Sequence, residues 1–184
     1  MSTNALAPGT GDVAAASGSG TPLATTLVLI AATLLTGLAT GVIALYAHTI
    51  MPGLKKTDDR TFVGAYQNID RAIINPWFMT TFFGALILIG AAGALFLRSD
   101  QRSVLVWLIV AFVLYLIAVI ITMAVHVPLN DKIKAAGDPA RIDVAKVRAA
   151  FNESRWAAWN YVRLAASTGA FVILTGVLAT MRRR

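Results

Sequence analysis

The chain has 184 residues, of which 57% are hydrophobic and 14% charged, and its formal net charge is +7. A soluble domain carries roughly 25% charged residues, so this composition excludes an ordinary water-soluble enzyme. The absence of cysteine further excludes a disulfide framework, thiolate catalysis and cysteine-bound metals.

Residues 1–20, MSTNALAPGTGDVAAASGSG, are rich in Gly, Ser, Thr and Ala and hold no Lys or Arg, which predicts a disordered tail. The apolar run over 23–46 lacks the basic leader and short core of a secretory signal, so it is read as a retained transmembrane helix. Further spans are predicted over 77–97, 104–125 and 160–181, the last uninterruptedly apolar from Leu164. Each can cross about 30 Å of hydrocarbon. Barrel strands would alternate apolar and polar residues at period two, and these runs do not. The expected fold is therefore all-α, an antiparallel four-transmembrane-helix bundle in one domain over 21–184, placed in the cell membrane.

Two longer connections each predict an interfacial amphipathic helix. In TDDRTFVGAYQNIDRAI, Thr57 or Asp58 caps the start, and Phe62, Tyr66, Ile69 and Ile73 form one apolar stripe. In DPARIDVAKVRAAFNESR, Asp138 is the expected cap with Pro139 at the first helical position, followed by Ile142, Val144, Val147 and Phe151. Both helices should lie on the membrane or on the bundle mouth. The halves share a plan, because MPGL at 51–54 and VPLN at 127–130 read as short turns, and NPW at 75–77 and WN at 159–160 open the next spans. Pro128 lacks an amide hydrogen and crowds the Ala124 carbonyl, so span three should fray or kink there. Ten Lys and Arg lie in the long connections against five in the tail, the RSDQR turn and the terminal RRR, which favours long loops inside. The density of charge beside the spans favours the reverse. Basic residues at helix ends meet lipid headgroups, and nucleic acid is not an expected partner.

An up-and-down bundle puts His48, Asn75, His126, Asn130, Trp156, Trp159, Asn160 and Arg163 at one membrane face. Trp156, Asn160, Arg163 and Ser167 recur at intervals of four, three and four, and Glu153 extends that stripe backwards. Arginine inside an apolar helix either faces a polar site or snorkels to the headgroups. The tryptophans suit a ligand wall or an interfacial aromatic belt. Asn130 either satisfies the backbone locally or turns inward with His126 to meet Asn160 and Arg163. The two histidines are the candidate bases. A bis-histidine haem finds no other support, and zinc lacks a third ligand at a telling spacing.

The order MPGL at 51–54, QNIDRAIINPWF at 67–78, HVPLND at 126–131 and WAAWNYVR at 156–163 resembles the anthrone oxygenase family of small membrane proteins, over about Ile30 to Leu178. The resemblance implies oxidation of an anthrone to an anthraquinone by dioxygen without an added cofactor. His126 departs from the family pattern, where asparagine is common before VPLN, and His48 is not a family hallmark. An anthrone needs a base, donors for a developing oxyanion and a flat apolar pocket. His126 or His48 is the expected base; Arg163, Asn130 and Asn160 the oxyanion donors; Trp159, Trp77, Phe78, Asn75 and Trp156 the binding wall. A flat aromatic molecule and dioxygen are then the expected partners within the bilayer, with homo-oligomerisation open. The competing reading is a non-catalytic scaffold or accessory subunit that meets a protein or lipid through Phe62, Tyr66 and Phe151.

Overall fold

The computed structural model describes residues 23–97 and 99–181. The tail expected over 1–20, Arg98 of the RSDQR turn and the final arginines at 182–184 lie outside them. Among the described residues the chain is all-helical: α1 (Leu23–Leu54), α2 (Asp59–Ile73), α3 (Pro76–Phe96), α4 (Arg102–Ala135), α5 (Val144–Phe151) and α6 (Glu153–Met181). Helices α1, α3, α4 and α6 are long and apolar enough to cross a membrane. They form a four-helix bundle in which α1 packs on α3 and α6, and α4 on the same two neighbours. Its core includes Leu29, Ile43, Phe82, Ile89, Leu108, Tyr115 and Leu174. At Gly37 the α1 backbone approaches α6 closely, since a Cβ there would stand 2.8 Å from the Phe171 ring.

Helices α1 and α4 run on past the predicted span ends. Their 32 and 34 residues correspond to about 48 and 51 Å at ~1.5 Å per residue, well beyond a hydrocarbon layer of about 30 Å. The turns expected at MPGL and VPLN are helix instead, and α4 neither frays nor stops at Pro128. A wider π turn precedes each proline, Tyr46–Ile50 in α1 and Thr122–His126 in α4. Across these turns the Met51 N–H donates to the Tyr46 carbonyl and the Val127 N–H to the Thr122 carbonyl. The extra residue per turn accommodates the ring and the missing N–H, so the helix continues beyond it. The two halves thus share one backbone device.

The protruding ends carry a second apolar core, a cap built of Tyr46, Met51, Phe62, Val63, Tyr66, Leu129, Ile133, Phe151 and Trp156. The apolar stripes of α2 and α5 therefore close the bundle mouth. Phe62, Tyr66 and Phe151 are buried there, so the partner contacts expected of them in a scaffold are already used. Asp58 caps α2, its carboxylate accepting from the Thr61 N–H at 3.0 Å and the Thr61 hydroxyl at 2.6 Å. The start expected at Asp138 is a turn, because that carboxylate accepts from the Ala140 N–H at 2.9 Å. Asp143 caps α5 in its place, accepting from the Lys146 N–H at 3.0 Å. Asn152 separates α5 from α6 with a left-handed backbone, φ 56°, a conformation asparagine tolerates. Its side-chain oxygen then accepts from the Arg155 N–H at 3.1 Å. Gln67 donates to the carbonyls of Ile133 and Gly137 at 2.8 and 3.0 Å, satisfying the end of α4.

Candidate functional site

Apart from the α1 threonines and Ser167, the buried polar side chains among the described residues gather where the bundle core meets the cap. Arg163 is 8% exposed, and its guanidinium points inward: Nε donates to Asn160 Oδ1 at 2.8 Å and Nη1 to Thr122 Oγ1 at 3.0 Å. Thr122 orients its lone pairs toward Arg163 by donating its own hydrogen to the Ala118 carbonyl at 2.8 Å. The guanidinium also lies 5.5 Å from the Trp156 ring. This geometry is the inward alternative to snorkelling. Among the described residues Arg163 makes no ion pair with a carboxylate. A buried cation in that state favours an anion or an oxygen with growing negative charge.

Trp156, 1% exposed, is held on several sides. His126 Nε2 donates to its backbone carbonyl at 3.2 Å, the only direction open to that pair because a carbonyl cannot donate. The two rings meet edge to face at 4.7 Å. His126 Nδ1 is buried and makes no hydrogen bond among the described residues. The Trp156 indole N–H donates to Asn130 Oδ1 at 2.9 Å. The Tyr66 hydroxyl donates to the same oxygen at 2.7 Å, and Asn130 Nδ2 donates to Asp70 Oδ1 at 2.6 Å. Asp70 pairs with Lys134 at 2.9 Å, and Lys134 with Asp131 at 3.0 Å. Asn130 is thus bonded to α2 and Trp156, and takes neither of the two expected courses, local backbone bonding or a meeting with Asn160 and Arg163.

Burial and the adjacent Asp70 carboxylate hold the Tyr66 phenol well above the usual tyrosine range. A raised value means that the folded protein keeps this proton more tightly than the unfolded chain. The resulting stability is present below about pH 10 and is lost as pH rises through the folded value. Tyr66→Phe should therefore lower the unfolding temperature at neutral pH and flatten its alkaline decline, as read by thermal unfolding in detergent from pH 7 upward. An alkaline decline as steep as in the parent would show that Tyr66 does not cause it.

Beside this network an open groove of about 830 Å³ runs between α1, α5 and α6. Ala47, Met51, Trp156, Ala157, Asn160 and Tyr161 line its inner part, and Lys55, Asp59, Arg148 and Glu153 its rim. Asn160 Nδ2 has one long contact, 3.4 Å to the Ile43 carbonyl. Arg148 closes the rim: it bonds Glu153 at 2.6 Å, Asp59 at 3.0 Å and the Thr57 carbonyl at 2.8 Å, and stacks 4.3 Å from Phe62. Arg163 and His126 stand behind the groove wall.

The other expected site residues stand apart. Trp77 is 86% exposed on the outer surface of the bundle and Trp159 is 40% exposed; neither lines the groove. Phe78 stacks on Phe82 at 5.6 Å within the bundle. Asn75 caps α3, accepting from the Phe78 N–H at 3.0 Å and donating to the Ala72 carbonyl at 2.8 Å. Asn75→Ala should therefore cost about 1 kcal/mol of stability, while Trp77→Ala leaves ligand affinity unchanged; a weaker ligand response on losing Trp77 would return it to the site. His48 is exposed, its ring edge-on to Tyr161 at 6.1 Å. Tyr161 stands five positions after Trp156, so the two histidines meet different faces of α6. Among the described residues no three of His, Cys, Asp and Glu gather as metal ligands.

The polar network and the inner groove wall fall largely within the stretch that relates this chain to known proteins. No curated protein and no solved structure matches the chain. The sequence profile of the anthrone oxygenase family matches residues 78–173, from the first turn of α3 to the middle of α6. That stretch is more than half of the chain and holds His126, Asn130, Trp156, Asn160 and Arg163, so the protein belongs to the anthrone oxygenase family.

Proposed function

We propose that the protein is an oxygenase of the cell membrane that converts the methylene of a flat, anthrone-like aromatic to a carbonyl using dioxygen and no added cofactor. One observation carries this reading: Arg163, which pairs with no carboxylate among the described residues, bonds the oxygen of Asn160 at 2.8 Å, and Asn160, itself fully buried, belongs to the groove wall beside Trp156. Hydrogen bonding of Oδ1 to a cation polarises the amide and makes its Nδ2 hydrogens stronger donors. A ring system in the groove rests on Trp156 and Tyr161, and its carbonyl oxygen accepts from Asn160 Nδ2.

Removal of a methylene proton sends the electron pair through the rings to that oxygen, where Asn160, backed by Arg163, stabilises the charge. This reading assigns the proton to His48, the exposed imidazole, which stands outside the groove lining and edge-on to Tyr161; His126 is closed in and fixes Trp156. The carbanion carbon bonds dioxygen to give a peroxide anion, which accepts a proton. Loss of the second carbon-bound hydrogen as a proton then breaks the O–O bond, leaving a ketone and releasing water. The sum is CH2 plus O2 giving C=O plus H2O, with carbon oxidised and dioxygen reduced. The apolar inner wall keeps water off the face of the anion that rests on Trp156.

Oxygen uptake by the purified protein in detergent, with an anthrone added and its spontaneous oxidation subtracted, tests this. Uptake matched by quinone formation supports the oxygenase. Background uptake alone, from well-folded protein, would overturn it in favour of a non-catalytic scaffold.

A further inference from the structure

The charged residues of the groove stand at one end only, and that asymmetry specifies its ligand further. Its inner wall is Ala47, Met51, Trp156, Ala157 and Tyr161 around the single amide of Asn160, whereas its rim holds Lys55, Asp59, Arg148 and Glu153. Both rim carboxylates are engaged by Arg148, Asp59 at 3.0 Å and Glu153 at 2.6 Å. Among the described residues Lys55 makes no ion pair, so its ammonium is the rim charge left to meet a ligand. The volume of about 830 Å³ lies toward the upper end of small-molecule sites, roughly 300–1,000 Å³, and leaves room beyond a bare three-ring system.

We infer that the substrate is an aromatic acid: a polycyclic body inside the groove with a carboxylate or comparably acidic substituent at its outer edge, paired with Lys55. This rests on the oxygenase reading of the same groove. Asn160 then senses the charge that develops during reaction, and Lys55 the charge present throughout. An interaction equal in ground and transition state lowers KM and leaves kcat unchanged. Lys55 is therefore a specificity residue.

The experiment measures oxygen uptake by the full-length protein and Lys55→Glu with an anthrone carboxylic acid and its methyl ester. The parent should show a KM for the acid about five-fold below that for the ester, the equivalent of one exposed ion pair of about 1 kcal/mol. Lys55→Glu should reverse that preference, raising the KM for the acid above that for the ester. Uptake with both compounds and a KM ratio unaffected by Lys55→Glu would overturn the acid assignment and leave the oxygenase standing. No uptake with either compound from folded parent protein would instead overturn the oxygenase reading, and the acid assignment with it.

Discussion

Asn160→Asp should lower anthrone oxidation by about 10²- to 10³-fold, the range for losing one oxyanion donor, without lowering the unfolding temperature. The substitution keeps the shape of the side chain but exchanges both amide hydrogens for a second acceptor oxygen. It also gives Arg163 the carboxylate it lacks, at the position where Nε already donates over 2.8 Å. The buried cation is then neutralised within the protein, and no donor faces the groove. Loss of turnover with an intact fold separates this role from a structural one. Turnover within a few-fold of the parent would remove Asn160 from the chemistry. Arg163→Ala should also lower turnover by orders of magnitude, through the unpolarised amide and the lost positive field.

Asn130→Leu should be the most damaging substitution to stability, by about 3–5 kcal/mol. Its single oxygen accepts from both the Tyr66 hydroxyl and the Trp156 indole, and its nitrogen serves Asp70. Leucine leaves all three without that partner in a buried setting, at about 1–3 kcal/mol each. For a chain of this size the unfolding midpoint should fall by about 10 °C. Asp131→Asn is the control: that carboxylate is 60% exposed in its pair with Lys134, where surface pairs contribute about 0–1 kcal/mol. A midpoint unchanged by Asn130→Leu would mean that the cap is held by its apolar core alone.

Long apolar runs made the four spans legible, because lipid constrains composition strongly over a whole helix. The helix ends were harder to read. Proline in one sequence predicts a break, and only the backbone reveals that a π turn absorbs it, at Pro52 and again at Pro128. Asp138 and Asp143 are both plausible caps, and the choice depends on where the α4 to α5 connection lands. The stripe of Trp156, Asn160 and Arg163 identified the inward face of α6, since all three share one helical face. Trp77 carried no such companions: Thr80 and Thr81 follow it at helical spacing, and it stands exposed at the start of α3.

Two signals within reach were overlooked. Thr122, His126 and Asn130 recur at intervals of four on α4, so the threonine that orients Arg163 lies on the face already singled out. Tyr66 and Asp70 repeat that spacing on α2, where Tyr66 also fits an apolar stripe and the partner contact of a scaffold. The pairing of Asp70 with Asn130 spans 60 residues. It depends on α2 folding over the bundle mouth, which no single helix pattern encodes.

The most direct measurement is the rate of oxygen-18 incorporation from labelled dioxygen into the new quinone carbonyl, compared between the parent protein, Asn160→Asp and buffer. The account predicts rapid incorporation of one labelled oxygen per quinone by the parent, with Asn160→Asp close to buffer. Equal incorporation rates in the parent and Asn160→Asp, or a parent product whose new oxygen comes from water, would contradict it.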